Sequence, residues 1–155
     1  MTHSDLGMGS NTYQNIRLNP GEDVWSNPNN PATGNGIDDD GNGLVDDWKG
    51  WNYAYANNNT ITTNGHGTVG SGIISAKTNN NTGISGLVGG NNAQGVTLLP
   101  VCVGVTGPSG ADLDDAILYA VDQGVSVITM SLSVSQTAAI DAAILVAVTN
   151  GVVVV

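Results

Sequence analysis

Two groups of residues in this chain have the types and spacing to do chemistry. The first is Asn64-Gly65-His66-Gly67-Thr68, followed at once by the small, apolar run from Val69 to Ala76. A histidine held between glycines at the head of a helix-compatible run suits proton transfer, because imidazole can accept and release a proton near neutral pH. The glycines leave room for another chain to come close. A histidine in an ordinary glycine turn is the competing reading of these five residues. The second group is the run from Asn35 to Asp47. Carboxylates packed this densely repel one another unless a cation sits among them. Asp38, Asp40 and Asn42 alternate, with Gly43 next, which is the opening of an Asp-x-Asp-x-Asn-Gly calcium loop, and Asp46 can add an oxygen. Lys49 stands where an EF-hand needs its last glutamate, and no helix is predicted ahead of the loop. A calcium loop of another type is the expectation, with a solvated acidic turn as its competitor.

The elements that must position these groups fall into two parts. Residues 1–49 are loop-rich, with Asn, Pro, Gly and Ser around Leu6, Ile16 and Trp25, and residues 1–35 read as an extended surface segment. From residue 50 the pattern becomes that of a βαβ core. Residues 50–54 read as a short strand, and His66 begins a helix to about Lys77 with Val69, Ile73 and Ile74 on its inner face. Residues 95–105 read as a buried strand that Pro100 can interrupt. A helix over 111–123, facing inward through Leu113, Ala116, Ile117, Ala120 and Val121, stops at Gly124. A buried strand over 125–130, a helix over 136–149 and a strand from Val152 complete the series. Alternating helices and continuously apolar strands predict an α/β fold: three layers, a mostly parallel sheet with helices on both faces.

Composition narrows the function classes. Lys and Arg number 3 against 13 Asp and Glu, a net charge of −10, so the chain lacks the cations that a row of nucleic-acid phosphates requires. No apolar run reaches membrane-spanning length, and the N-terminus has neither the basic nor the apolar part of a signal peptide. Cys102 is the one cysteine, which excludes an intrachain disulfide, and its apolar strand predicts a buried, inert thiol. Ser71 lies off the His66 face of its helix, and Trp25, Trp48 and Trp51 are expected in ordinary packing.

The ordered set of these boxes resembles the N-terminal and middle part of a subtilisin-like serine protease catalytic domain (a subtilase). It comprises Gly65-His66-Gly67-Thr68, the run Val96 to Val103, the helix carrying Asp114 to Ala120, and the strand Val125 to Leu132 ending in Met130-Ser131-Leu132. Thr2-His3-Ser4-Asp5-Leu6 is similar to the turn after that family's aspartate box, and the acidic run to an insertion found in bacterial members. The resemblance covers essentially residues 1–155 as one partial domain. It implies a secreted serine-type endopeptidase with peptide or protein substrates and structural Ca2+. In it His66 is the general base. Asp5 and Asn80 are calcium ligands, with Thr78, Thr82 and Ile84 supplying carbonyl oxygens. Gly107, Gly110, Ser131, Leu132 and Ser133 form the two edges between which a peptide lies as an added strand.

Departures from the pattern are also legible. Val69-Gly70-Ser71-Gly72 replaces the usual His-Val-Ala-Gly, and Ser133 stands where the family has Gly. The resemblance places the catalytic aspartate ahead of Met1, and the oxyanion asparagine and nucleophilic serine beyond Val155. The chain alone is therefore expected to be inactive. The alternatives are a non-catalytic calcium-binding module and a truncated gene product.

Overall fold

A computed structural model describes residues 3–6, 15–61, 64–91, 93–104 and 110–155. The chain forms two compact units, residues 1–51 with 57–100, and residues 52–56 with 101–155. The loop-rich opening, the acidic run and the helix bearing His66 thus belong to one unit, whereas the sequence suggested a change of character at residue 50.

The first unit is held by polar side chains to an extent that its apolar content does not suggest. Asn15, Asn19 and Glu22 are buried beside Leu6, Ile16, Trp25 and Trp48, so the expected surface segment sends several side chains inside while residues 26–30 stay exposed. Backbone groups in loops still need partners, and asparagine amides supply them where no ladder exists. Asn15 Nδ2 donates to the Ser75 carbonyl and, at 2.9 Å, to that of Gly89. Ile16 and Leu98 form a parallel bridge, with Leu98 N–H donating to Asn15 O and Arg17 N–H to Leu98 O, both at 2.8 Å. Trp25 and Trp48 meet edge to face at 5.5 Å between ring centroids. The ammonium of Lys49 lies 4.8 Å from the Trp48 centroid and donates to Pro28 O at 2.7 Å.

Helix α1 spans His66–Ser75. Its buried side is Ser71 and Ser75, with Ala76 just beyond, whereas Val69 and Ile73 are 63% and 54% exposed. Of the expected inner face, Val69 and Ile73 turn outward and Ile74 is half-buried. The cause is the partner: a Cβ on Gly89 would come within 1.6 Å of Ala76 O, so α1 packs backbone to backbone against a glycine-rich loop that only small residues can approach.

The second unit matches the expected α/β class. β1 (Trp51–Asn52) pairs with β2 (Val101–Cys102), and β3 (Val127–Ile128) with β4 (Val153–Val154) in parallel, Val127 opposite Val153 and Ile128 opposite Val154. These strands are shorter than their apolar runs. Pro100 does mark the break between the Ile16–Leu98 bridge and β2. Between them lie α2 (Leu113–Asp122) and α3 (Ala138–Thr149). Leu113 and Ile117 of α2, Ile140, Ala143 and Ala147 of α3, and Val152 form the core, against which Ile128 and Val154 pack. Val127 and Val153, alternate along the strands, turn away and are 54% and 57% exposed. Both helices thus cover one face of β3–β4, and the buried strand expected over 125–130 is half open.

Both helices end alike. Gly124 N–H donates to Val121 O at 2.8 Å and Val125 N–H to Ala120 O at 3.3 Å. Gly151 N–H donates to Val148 O and Val152 N–H to Ala147 O, both at 3.0 Å. This is the Schellman pattern, with the glycines at φ +66° and +79°. α3 starts on Thr137, whose hydroxyl accepts the Ile140 N–H at 3.2 Å, so it begins two residues after the predicted Gln136. Cys102 is half-buried, its thiol donating to Gly104 O at 3.3 Å. Among the described residues no helix is long and apolar enough to cross a membrane.

Candidate active site and cation-binding loops

His66 is the first residue of α1 and is exposed to solvent. Gly65 caps the helix with its backbone alone, and Asn64 Oδ1 accepts the His66 N–H at 3.0 Å. That bond satisfies one of the unpaired donors at the helix start and fixes the backbone from which the imidazole projects. His66 is exposed, and nothing lies within 4 Å of a Cβ built on Gly65 or Gly67, so the backbone on either side leaves room for another group. Ser71 is buried on the opposite side, where Ser75 Oγ donates to its carbonyl at 3.4 Å. It does not share a surface with the histidine.

The substrate-edge residues lie in the second unit. Leu132 and Val134 turn into the α2–α3 core, while Ser131 and Ser133 are exposed. This alternation gives an extended segment one polar, outward side. Gly110 sits beside it, a Cβ there falling 3.5 Å from the Val134 Cβ. Gly107 lies outside the described residues.

Asp5 and the loop after α1 come together in the first unit. Asp5 is 2% exposed, and its carboxylate accepts Asn80 Nδ2 on Oδ1 and the Ile84 N–H on Oδ2, each at 2.8 Å. Asn80 Oδ1 in turn accepts the Thr82 N–H at 3.2 Å. Thr78 closes the base of the loop through its N–H to Gly90 O at 3.0 Å. The loop bends through positive φ at Asn79 and Asn81 and lines a hollow of about 310 Å³. A buried carboxylate, amide oxygens and loop carbonyls make an all-oxygen donor set, which fits a hard cation.

The acidic run folds into tight turns. Asp38 accepts the N–H groups of Asn42 at 3.1 Å and Gly43 at 2.8 Å, closing the turn on itself. Asp46 accepts the Gly36 N–H at 3.0 Å, well inside the fold. Of the four residues expected to share an ion, the structure brings together Asp38, Asp40 and Asn42: the Asn42 N–H is shared by Asp38 Oδ1 at 3.1 Å and Asp40 Oδ1 at 3.0 Å, and the Asn42 amide donates to Asp40 Oδ2 at 3.2 Å. A further convergence involves two residues that the spacing did not mark. Carboxylate oxygens of Glu22, Asp40 and Asp47 lie within 4.8 Å of one another. Burial raises the Glu22 pKa above the ordinary carboxylate value, and the neighbouring Asp47 and Asp40 charges add to that, against hydrogen bonds from the Asp40 and Asp39 backbones. The lone acidic pair Glu22-Asp23 was the available signal, but only folding brings it to the acidic run.

The family model described as Subtilase family matches residues 11–155, and the chain belongs to that family. Thermitase of Thermoactinomyces vulgaris is 39% identical over 85 residues, which is 54% of this chain and 29% of that protein. Subtilisin-like protease 1 of Plasmodium falciparum is 52% identical over 52 residues, 34% of this chain and 8% of that protein. An extracellular protease of Xanthomonas campestris is 34% identical over 121 residues, 75% of this chain and 19% of that protein. The chain therefore spans less than a third of the length of each of these relatives. Membership of the family supports a serine-type peptidase function.

Proposed function

We propose that this chain supplies the general base and one substrate-binding edge of a secreted, calcium-stabilised serine endopeptidase that works by acyl transfer. The observation that carries the reading is His66, exposed at a fixed helix start between two glycines in a chain matched to the subtilase family. In that role the imidazole takes the proton of a nucleophilic serine as it attacks the peptide carbonyl, then delivers it to the leaving amine. The resemblance assigns that serine, the aspartate that orients the imidazole and the oxyanion amide to segments outside residues 1–155. These residues alone are therefore proposed to be inactive.

A peptide substrate would lie along Ser131–Ser133 as an added strand, with the facing edge assigned by the resemblance to Gly107 and Gly110. The exposed Ser131 and Ser133, between inward-turned side chains, support that use. Asp5, Asn80 and the carbonyls of Thr78, Thr82 and Ile84 are proposed to hold Ca2+, which would fix the loop following the catalytic helix. The relative from Xanthomonas campestris, named an extracellular protease, supports secretion. The test is labelling of the full-length gene product with a serine-directed fluorophosphonate. Labelling that is lost in His66→Ala supports the reading, and labelling indifferent to that change refutes it.

A further inference from the structure

We propose that Asn64 is a modification site: its side-chain amide is lost through attack by the Gly65 nitrogen followed by water, which leaves an aspartate or isoaspartate two positions before the Gly67 side of the histidine box and next but one to His66. Asparagine followed by glycine is the pair most open to this reaction, because no Cβ crowds the attacking nitrogen. The chain holds four such pairs, Asn35-Gly36, Asn42-Gly43, Asn64-Gly65 and Asn150-Gly151, and all four asparagines are exposed. Exposure therefore does not choose among them. The attacking N–H does. Gly36 N–H donates to Asp46 Oδ2 at 3.0 Å, Gly43 N–H to Asp38 Oδ2 at 2.8 Å and Gly151 N–H to Val148 O at 3.0 Å. Each of those nitrogens must break a bond before it can turn on its neighbour. Among the described residues nothing accepts the Gly65 N–H.

The geometry at residue 64 also favours the step. Asn64 Oδ1 accepts the His66 N–H at 3.0 Å, which folds the side-chain carbonyl back over the Gly65 peptide. Attack on Cγ drives negative charge onto Oδ1, where a backbone donor at the N-terminal end of α1 already stands. Asn35 and Asn42 make the same turn, to the Ile37 and Leu44 N–H groups at 2.8 Å, so this help is shared and the attacking nitrogen remains the difference. In the step, the Gly65 nitrogen gives its proton to solvent and bonds to Asn64 Cγ, while the Cγ–Nδ2 bond breaks and Nδ2 leaves as ammonia. Water then opens the cyclic imide. Cleavage at Cγ gives aspartate, and cleavage at the main-chain carbonyl gives isoaspartate, whose backbone is longer by one carbon. Nothing is oxidised or reduced. Either product sets a carboxylate near the helix start, where it favours the protonated imidazole. On the proposed function this consequence is an ageing of the base, but the chemistry at Asn64 does not depend on that reading.

The experiment ages the full-length gene product in mildly alkaline buffer, with a fluorophosphonate present to suppress autolysis. Peptide mass spectrometry and isoaspartyl methyltransferase labelling follow the four asparagines. Breaking a held N–H adds to the barrier, so Asn64 should convert at least about tenfold faster than Asn35, Asn42 or Asn150. In denaturant the four rates should converge, because the selectivity comes from the fold. Gly65→Ala should slow conversion at residue 64 by about tenfold or more, since its Cβ crowds the attacking nitrogen. Gly65 has φ −74°, and nothing lies within 4 Å of a Cβ there, so that variant should melt close to wild type. Equal rates at the four sites of the folded chain, or faster conversion at one of the other three, overturn the proposal. So does a preference for Asn64 that persists in denaturant, or a wild-type rate in Gly65→Ala. The readouts are masses and methyl labels, so fluorophosphonate labelling indifferent to His66→Ala would sink the protease reading and leave the Asn64 result standing.

Discussion

The side-chain amide of Asn80 donates to the Asp5 carboxylate at 2.8 Å, joining residues 75 positions apart in the chain. Through this bond and the Ile84 N–H, one buried carboxylate anchors the loop that follows the helix of His66. Lys77 N–H, between helix and loop, donates to the Asp5 carbonyl at 2.8 Å. The position of a candidate catalytic helix is thus tied to a candidate cation loop.

Replacing Asp5 by Asn should therefore weaken the fold even without metal. Hydrogen bonds to a charged group contribute about 1.5–3 kcal/mol each, and the variant keeps the shape while losing the charge. The stabilisation that calcium adds should shrink as well, because an ion that binds only the folded state stabilises it by an amount that grows with the logarithm of its affinity. Thermal melts in calcium and in chelator measure both effects. An unchanged calcium increment in Asp5→Asn would show that the ion is held elsewhere.

Glu22 gives the metal-free protein a definite pH dependence. Its pKa in the fold is raised above the ordinary value of 4.5, so the folded state holds the proton more tightly than the unfolded chain does. The sign follows from linkage: the contribution is greatest below about 4.5 and is lost as pH rises through the folded-state value. Glu22→Gln removes this dependence. In chelator, its stability relative to wild type should climb across that window and then level off. Urea denaturation at a series of pH values reads the difference, and a flat one contradicts the account.

The two helix ends make a matched pair of tests. Gly124 and Gly151 occupy the left-handed region at φ +66° and +79°, where an L side chain costs about 1–2 kcal/mol. Each Gly→Ala change should destabilise by about that amount in chemical denaturation, and together they should add, since they terminate different helices. A change at either position without cost would mean that the helix end adopts another geometry.

What the sequence disclosed depended on whether its signals were local. α2 and α3 were legible to within about two residues because apolar spacing and a terminal glycine act within a few positions. The face of α1 was not. Val69 and Ile73 look like core residues by period, but the packing partner is a glycine loop that admits Ser71, Ser75 and Ala76. His66 was legible from its flanking glycines and its place in an ordered set of boxes. Glu22 was hidden because its Asp40 neighbour lies 18 residues away. Asp38 and Asp46 carried the expected spacing, and each also accepts a backbone N–H that closes a turn.

The central claim is that His66 is the base of a serine endopeptidase, and one comparison tests it most directly. The full-length gene product and its His66→Ala variant are assayed for fluorophosphonate labelling and peptide hydrolysis, with circular dichroism to establish equal folding. The account predicts that the variant folds normally, labels poorly and loses about four orders of magnitude or more in turnover, as removal of a triad base does. Equal labelling and turnover in a folded variant would contradict it.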